Sequence, residues 1–242
     1  MEPWDGSVVK APYPHSENIP AGMSHEQYVE YCLWHLDSHI PEYIVPSENI
    51  AAVLIEPGLA EGGNWIPSGN FIKGIRKICD KHGWLMIADE VLTGLGRTAE
   101  MWGMYHYKVI PDMLIVGKNL SGGIAPCAGV ATRDEILGNN PSASSGSTFA
   151  GTPAGCAAGL KTLEIYKRDK VIDHAKKLAQ IAKVRMEPWC EKYSIVSETR
   201  QLGLLMGISF NLPDSLASSD KYDDSFVART VRDHMLRNGV WA

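Results

Sequence analysis

The chain has 242 residues, 45% of them hydrophobic, enough to bury a substantial core in one large domain or one and a fraction. Its 23 Lys and Arg stand against 28 Asp and Glu, a net charge of −5, and no basic run of the kind that tracks a phosphate backbone is present, which argues against a nucleic-acid partner. No apolar stretch approaches a membrane span, and the acidic, Pro-containing start Met1-Glu2-Pro3-Trp4-Asp5 does not read as a signal peptide. Cys32, Cys79, Cys127, Cys156 and Cys190 are odd in number and form no CxxC pair, so neither a disulfide framework nor a zinc site is suggested. A cytoplasmic protein with reduced, mostly buried thiols is the expectation.

Residues 1–23, rich in Pro and polar side chains, read as coil. Ser24-His25-Glu26-Gln27 is a capping-box pattern opening a helix in which Tyr28, Cys32 and Leu36 recur at helical spacing. Ala51 to Ile55 predicts a short buried strand, followed by a loop from Pro57 to Pro67. Phe71, Ile72, Ile75, Ile78 and Cys79 make one apolar helical face, with Gly83 as its stop. Further strands are predicted at Trp84 to Ala88, Met113 to Val116 and Ala128 to Thr132. The run from Pro153 to Gly159 starts a long helix through Leu163 and Tyr166, a second helix spans Val171 to Arg185, and Leu204 to Phe210 belongs to a smaller α+β portion. This alternation is that of an α/β fold, a mainly parallel sheet covered by helices.

Chemistry concentrates at the predicted strand ends, where open α/β sheets place their ligand sites. Asp89 ends one apolar run and opens Asp89-Glu90-Val91-Leu92-Thr93-Gly94-Leu95-Gly96-Arg97-Thr98, whose glycines let the backbone turn tightly beside a ligand. Taken alone, Asp89 reads as a cap or an ion-pair partner; in this setting a carboxylate can face a pyridine nitrogen and keep it protonated. Lys118 follows the next apolar run within Gly117-Lys118-Asn119-Leu120-Ser121-Gly122-Gly123. A solvated surface lysine is the ordinary reading, but a lysine between a buried strand and a glycine-rich turn is expected to be desolvated, which favours its neutral, nucleophilic form. Gly94-Leu95-Gly96 lacks the third glycine of a dinucleotide-binding loop.

With these residues in view, the chain resembles the class III pyridoxal-phosphate-dependent aminotransferases of fold type I. The motifs that carry the resemblance are Ala51-Ala52-Val53-Leu54-Ile55-Glu56-Pro57, Ile87-Ala88-Asp89-Glu90-Val91 through Thr98, Pro111-Asp112, Gly117-Lys118 and Gly146-Ser147-Thr148-Phe149-Ala150-Gly151-Thr152-Pro153. A weaker match, Gly203-Leu204-Leu205-Met206-Gly207-Ile208, is similar to the strand that opens the family's C-terminal domain. The resemblance implies that residues 1–165 are the central part of the cofactor-binding large domain and residues 166–242 a connecting helix and an incomplete small domain. It assigns Lys118 to a Schiff base with pyridoxal 5'-phosphate, Asp89 to the pyridine nitrogen and Val91 to one face of the ring. Thr148 would reach the cofactor phosphate across the interface of a homodimer. Glu56 matches an acid that pairs with an arginine near the substrate, although a strand-end cap explains it equally well. Trp102, Tyr105 and His106 are expected to pack around the turn, His106 structurally.

The sequence departs from the family pattern at Leu92, where Gln is usual, at Gly58-Leu59-Ala60 after Glu56-Pro57, at Ala99 in place of Gly, and at Thr152 in place of Asn. Family members are much longer; their phosphate loop, stacking aromatic and C-terminal carboxylate-binding arginine have no counterpart here. The resemblance therefore implies a partial chain, either acting in transamination of an amino donor such as 4-aminobutyrate to a keto acid, with a second or complementing chain, or a non-catalytic remnant that keeps the fold and dimer surface.

Overall fold

The structure is a computed structural model that describes residues 7–138, 151–213, 216 and 225–241. The first helix, α1 (His25–Trp34), starts at Ser24, whose hydroxyl accepts from Gln27 N while the Gln27 side chain accepts from Ser24 N, the full capping box. A π turn (His35–His39) and a short helix, α2 (Ile40–Tyr43), extend it. Pro41 explains the wider turn: it has no N–H for the carbonyl four residues back, and its ring crowds that carbonyl. The expected helix thus reaches Leu36, but not as uniform α-helix.

After β1 (Ala52–Ile55), the helix α3 (Gly69–His82) begins at Ser68, whose hydroxyl accepts from Phe71 N. It ends at Gly83, whose φ of 74° is the left-handed geometry that glycine adopts without steric cost. Phe71, Ile72, Ile75, Ile78 and Cys79 are all buried along one face of α3. Two more strands follow, β2 (Leu85–Asp89), parallel to β1, and β3 (Met113–Val116), parallel to β2, with Ile55 opposite Ala88 and Asp89 opposite Ile115. The sheet order is β1-β2-β3-β4, where β4 (Gly129–Thr132) runs antiparallel to β3. The expected fourth strand is therefore present, and it is antiparallel in a mainly parallel sheet. The connection 117–128 holds only a 3-10 turn, and without a crossover helix the chain returns beside β3 in the opposite sense.

One core joins α1, α3 and the sheet: Tyr28, Cys32, Ile72, Ile75, Met86 and Met104 are each no more than 6% exposed. On the other face of β1 by strand alternation, Leu54 is 62% exposed. Beyond α4 (Asp134–Leu137) come α5 (Pro153–Arg168), capped by Thr152 with Pro153 at its start, and α6 (Val171–Met186). The short α7 (Trp189–Lys192) leads to an antiparallel hairpin, β5 (Val196–Leu202) and β6 (Leu205–Phe210), and α8 (Phe226–Arg237) follows. The expected division near residue 165 falls inside α5, which runs unbroken to Arg168. Of the five thiols only Cys32 and Cys79 are buried; Cys127 is half-buried, and Cys156 and Cys190 are exposed on helices whose outer faces carry them, which corrects the expectation of mostly buried cysteines. Among the described residues no helix is long and apolar enough to cross a membrane.

Candidate functional site

Parallel pairing of β1, β2 and β3 aligns their carboxyl ends, and three charged residues stand there side by side: Glu56 after β1, Asp89 at the end of β2 and Lys118 just beyond β3. Glu56 registers the other two. Burial raises its pKa, the N–H of Ala60 opposes that, and Asp89 pushes it up while Lys118 pulls it down. Its Oε2 accepts from Ala60 N at 2.8 Å, the local cap that the sequence allowed, so capping and membership of the charged group occur together. Two hydroxyls hold the backbone here: Tyr107 donates to Pro57 O at 2.7 Å and Tyr13 to Glu56 O at 3.4 Å. Burial raises the pKa of both phenols, so each keeps its proton for the bond.

Asp89 Oδ1 accepts from Val91 N at 3.0 Å, which orients the carboxylate at the head of the loop. Val91 is half-buried, and its side chain lies 3.6 Å from where a Cβ on Gly117 would stand, so the loop after β2 and the turn bearing Lys118 are neighbours. Lys118 has a φ of 44°, opens the 3-10 turn Lys118–Ser121, and is exposed. The expected desolvation is not found: β3 ends at Val116, and the turn carries the lysine clear of the core.

Glu90, to which the sequence reading gave no role, is 1% exposed and anchors the loop from behind. It accepts from Thr93 Oγ1 at 2.5 Å, Gly103 N at 2.8 Å and Met104 N at 2.9 Å. Strand alternation was the available signal, since it sends Glu90 to the side opposite Asp89. Tyr166 and Asn119 were also missed as a pair; the Asn119 side chain donates to the Tyr166 hydroxyl at 2.6 Å. His106 bonds Thr98 O through Nε2 at 2.9 Å, a structural role as expected, and Trp102 packs against Gly94. Tyr105 is 56% exposed and does not pack around the turn, because the 3-10 turn Gly103–Tyr107 points it outward. Thr148 lies outside the described residues.

These groups suit pyridoxal phosphate: an accessible amine for its aldehyde, a carboxylate on the adjacent strand for its ring nitrogen, and an apolar side chain between them for a ring face.

Comparisons with known proteins bear on the family and the fold. The chain is 31% identical over 226 residues, 93% of its length and 51% of the relative's, to a protein of Bacillus subtilis named a probable 4-aminobutyrate aminotransferase. It is 33% identical over 195 residues, 79% of its length and 48% of the relative's, to the acetylornithine aminotransferase of Methanocaldococcus jannaschii. A crystal structure of a thermostable (S)-enantioselective ω-transaminase from Thermomicrobium roseum matches with a TM-score of 0.82 at 28% identity, covering 98% of this chain and 55% of that one. The acetylornithine aminotransferase of Elizabethkingia anophelis matches at a TM-score of 0.75 and 33% identity, over 87% of this chain and 49% of that one. The chain spans about half the length of the curated relatives it matches. The family model for class-III aminotransferases covers residues 1–242, and the chain, with the α/β architecture of the pyridoxal-phosphate transaminases, belongs to that family.

Proposed function

We propose that this chain serves pyridoxal-phosphate-dependent transamination, the transfer of an amino group from an amine or amino-acid donor to a keto acid. The observation that carries the reading is the alignment of Glu56, Asp89 and Lys118 at neighbouring strand ends, in a family whose members depend on that cofactor. When bound, pyridoxal phosphate supplies an aldehyde that bonds amines and a ring that accepts electrons from the substrate carbon. Lys118 Nζ is the amine that would hold it. Freed from that role, the same amine would be the group that holds and moves a proton at the substrate carbon, as general base and acid. Asp89 would hold the proton on the ring nitrogen, electrostatic stabilisation that is fixed in place before reaction by its bond from Val91 N. Val91 would cover one ring face, and Leu92, unlike Gln, donates no hydrogen bond to the ring oxygen.

An ω-amino donor such as 4-aminobutyrate is the substrate class we favour, supported by the name of the Bacillus subtilis relative. The proposal includes a homodimer, since the resemblance sends Thr148 to the phosphate across a subunit interface, a division into large and small domains near residue 165, and a cytoplasmic setting. The test is the visible absorption spectrum of the purified chain after addition of pyridoxal phosphate, with Lys118→Ala beside it. The expected result is a band that requires Lys118 and shifts on adding an amino donor. A borohydride-reducible link to the cofactor that survives in Lys118→Ala overturns the assignment.

The second reading is a remnant that keeps the fold and dimer surface but binds the cofactor weakly or not at all. The exposure of the apolar Leu54 on one face of the sheet favours this reading. Measurable turnover of an amino donor by the chain alone disposes of it.

A further inference from the structure

Two residues at the candidate site hold left-handed backbone angles although neither is glycine: Leu95, with φ 52°, and Lys118, with φ 44°. Such conformations are strained for residues with a Cβ and persist only where the surroundings over-determine them. The two belong to different loops, one after β2 and one after β3. A single hydroxyl ties those loops together. Tyr166, on α5, donates to Leu95 O at 2.9 Å and accepts from Asn119 Nδ2 at 2.6 Å, and Asn119 is the residue that follows Lys118.

The surroundings match this role. Burial raises the Tyr166 pKa against the opposing effects of Arg97 and Asn119, so the hydroxyl keeps the proton it donates to Leu95. The turn rests directly on α5: a Cβ on Gly122 would stand 2.9 Å from Thr162 Oγ1, and one on Gly159 would stand 3.5 Å from Leu120 O. Val91, Leu92, Lys118, Asn119 and Tyr166 line one cavity of about 200 Å³.

We propose that Tyr166 is a positioning residue, which with Asn119 locks the Lys118 turn against the loop that begins at Asp89 and Val91, so that amine and carboxylate meet the same cofactor ring. The inference rests on the reading of Lys118 as the cofactor lysine. A hydroxyl bonded to both loops fixes their separation; without it the amine samples a wider set of positions, and capture of the aldehyde slows by the fraction of time spent misplaced.

The experiment measures the rate of borohydride-trappable capture of pyridoxal phosphate by the full chain, located on Lys118 by peptide mass, together with thermal stability. Tyr166→Phe keeps the ring beside Gly96 and removes only the hydroxyl; Asn119→Ala removes the other partner from an exposed position. Each is expected to slow capture about tenfold with little change in melting temperature, and the double variant is expected to be no slower than either single one, the non-additivity of residues acting as a unit. Capture at the unsubstituted rate in both variants overturns the inference, and so does a loss of capture that merely follows a loss of folded protein. If the unsubstituted chain itself captures no cofactor on Lys118, the reading of the site fails and this inference falls with it, whereas normal capture with insensitive variants sinks the inference alone.

Discussion

Asp89 and Glu90 are consecutive carboxylates with opposite tasks. An extended chain sends successive side chains to opposite sides, so Asp89 joins the charged group at the strand ends while Glu90 turns into the protein. The sequence made Asp89 legible because a strand-end acid before a glycine-rich loop has a recognisable pattern. For Glu90 alternation gives the side it faces but not its partners, because Gly103 and Met104 come from a loop more distant in the chain. Glu90→Ala leaves both of those amides unsatisfied in a buried setting and is expected to cost about 3 kcal/mol of stability, measured by urea unfolding at pH 7. Burial raises the Glu90 pKa, with Thr93, Met104 and Gly103 opposing. A folded-state value above the unfolded one contributes stability that is complete below the unfolded value of about 4.3 and is lost as pH rises through the folded value. Urea midpoints measured from pH 4 upward are therefore expected to fall less with pH in Glu90→Gln than in the unsubstituted protein.

At the scale of elements, Asp112 shows what the short Pro111-Asp112 motif does beside β3. Its Oδ2 accepts from Arg76 Nη1 on α3 at 2.7 Å and from Met86 N on β2 at 2.8 Å, while Oδ1 accepts from Arg133 Nη2 at 3.0 Å. One carboxylate thus pins the covering helix to the sheet and the approach to β3 to the approach to α4. Burial alone would push its pKa up, but the Met86 amide and Arg76 and Arg133 outweigh it, and the pKa is lowered. A lowered value contributes stability that is present above the unfolded pKa of about 3.9 and disappears as pH falls through the folded one. Asp112→Ala leaves the Met86 amide without its side-chain acceptor and Arg76 with Asp80 in place of two carboxylates, and is expected to cost about 2 kcal/mol at pH 7. The difference between variant and unsubstituted protein should shrink in acid below about pH 4, as urea titrations at pH 7 and pH 3 will show; an unchanged difference at the two pH values refutes the account. The first helices were readable because their information is local: the capping box at Ser24, the apolar face of α3 and the stop at Gly83 all act within a few residues. The direction of β4 was not, because it depends on what the connection from β3 can build.

At the scale of the molecule, the β5–β6 hairpin docks onto the loop that starts at Asp89. Leu204 N donates to Arg97 O at 3.0 Å, and Gly203, with φ 64°, lies so close to Thr98 that a Cβ there would stand 1.9 Å from the Thr98 carbonyl carbon. Elsewhere Asn64 Nδ2 donates to Met206 O at 2.7 Å, and the Arg200 guanidinium lies 3.6 Å over the Trp65 ring while donating to Gly63 O. The hairpin is thereby tied both to the loop of Asp89 and to the loop after Glu56. Gly203→Ala combines a left-handed backbone with a direct clash and is expected to destabilise the protein by more than about 3 kcal/mol or to release the hairpin. Limited proteolysis distinguishes this from a local effect: faster cleavage within residues 196–210 is expected, and an unaltered digestion pattern with an unaltered melting temperature refutes it.

The sequence by itself determined the strands of the sheet, the helices that start at Ser24 and cover it, and the identity of the strand-end residues Glu56, Asp89 and Lys118, because propensity, capping and periodicity are properties of neighbouring residues. Parallel pairing places those three residues side by side, and that followed once the strands were recognised. Only the tertiary structure decided that Lys118 is exposed in a left-handed turn, that β4 runs antiparallel to β3, that Glu90 holds the amides of Gly103 and Met104, and that Tyr166 joins two loops through one hydroxyl. Each of these depends on groups far apart in the chain meeting in space, and no local pattern encodes where such a meeting occurs.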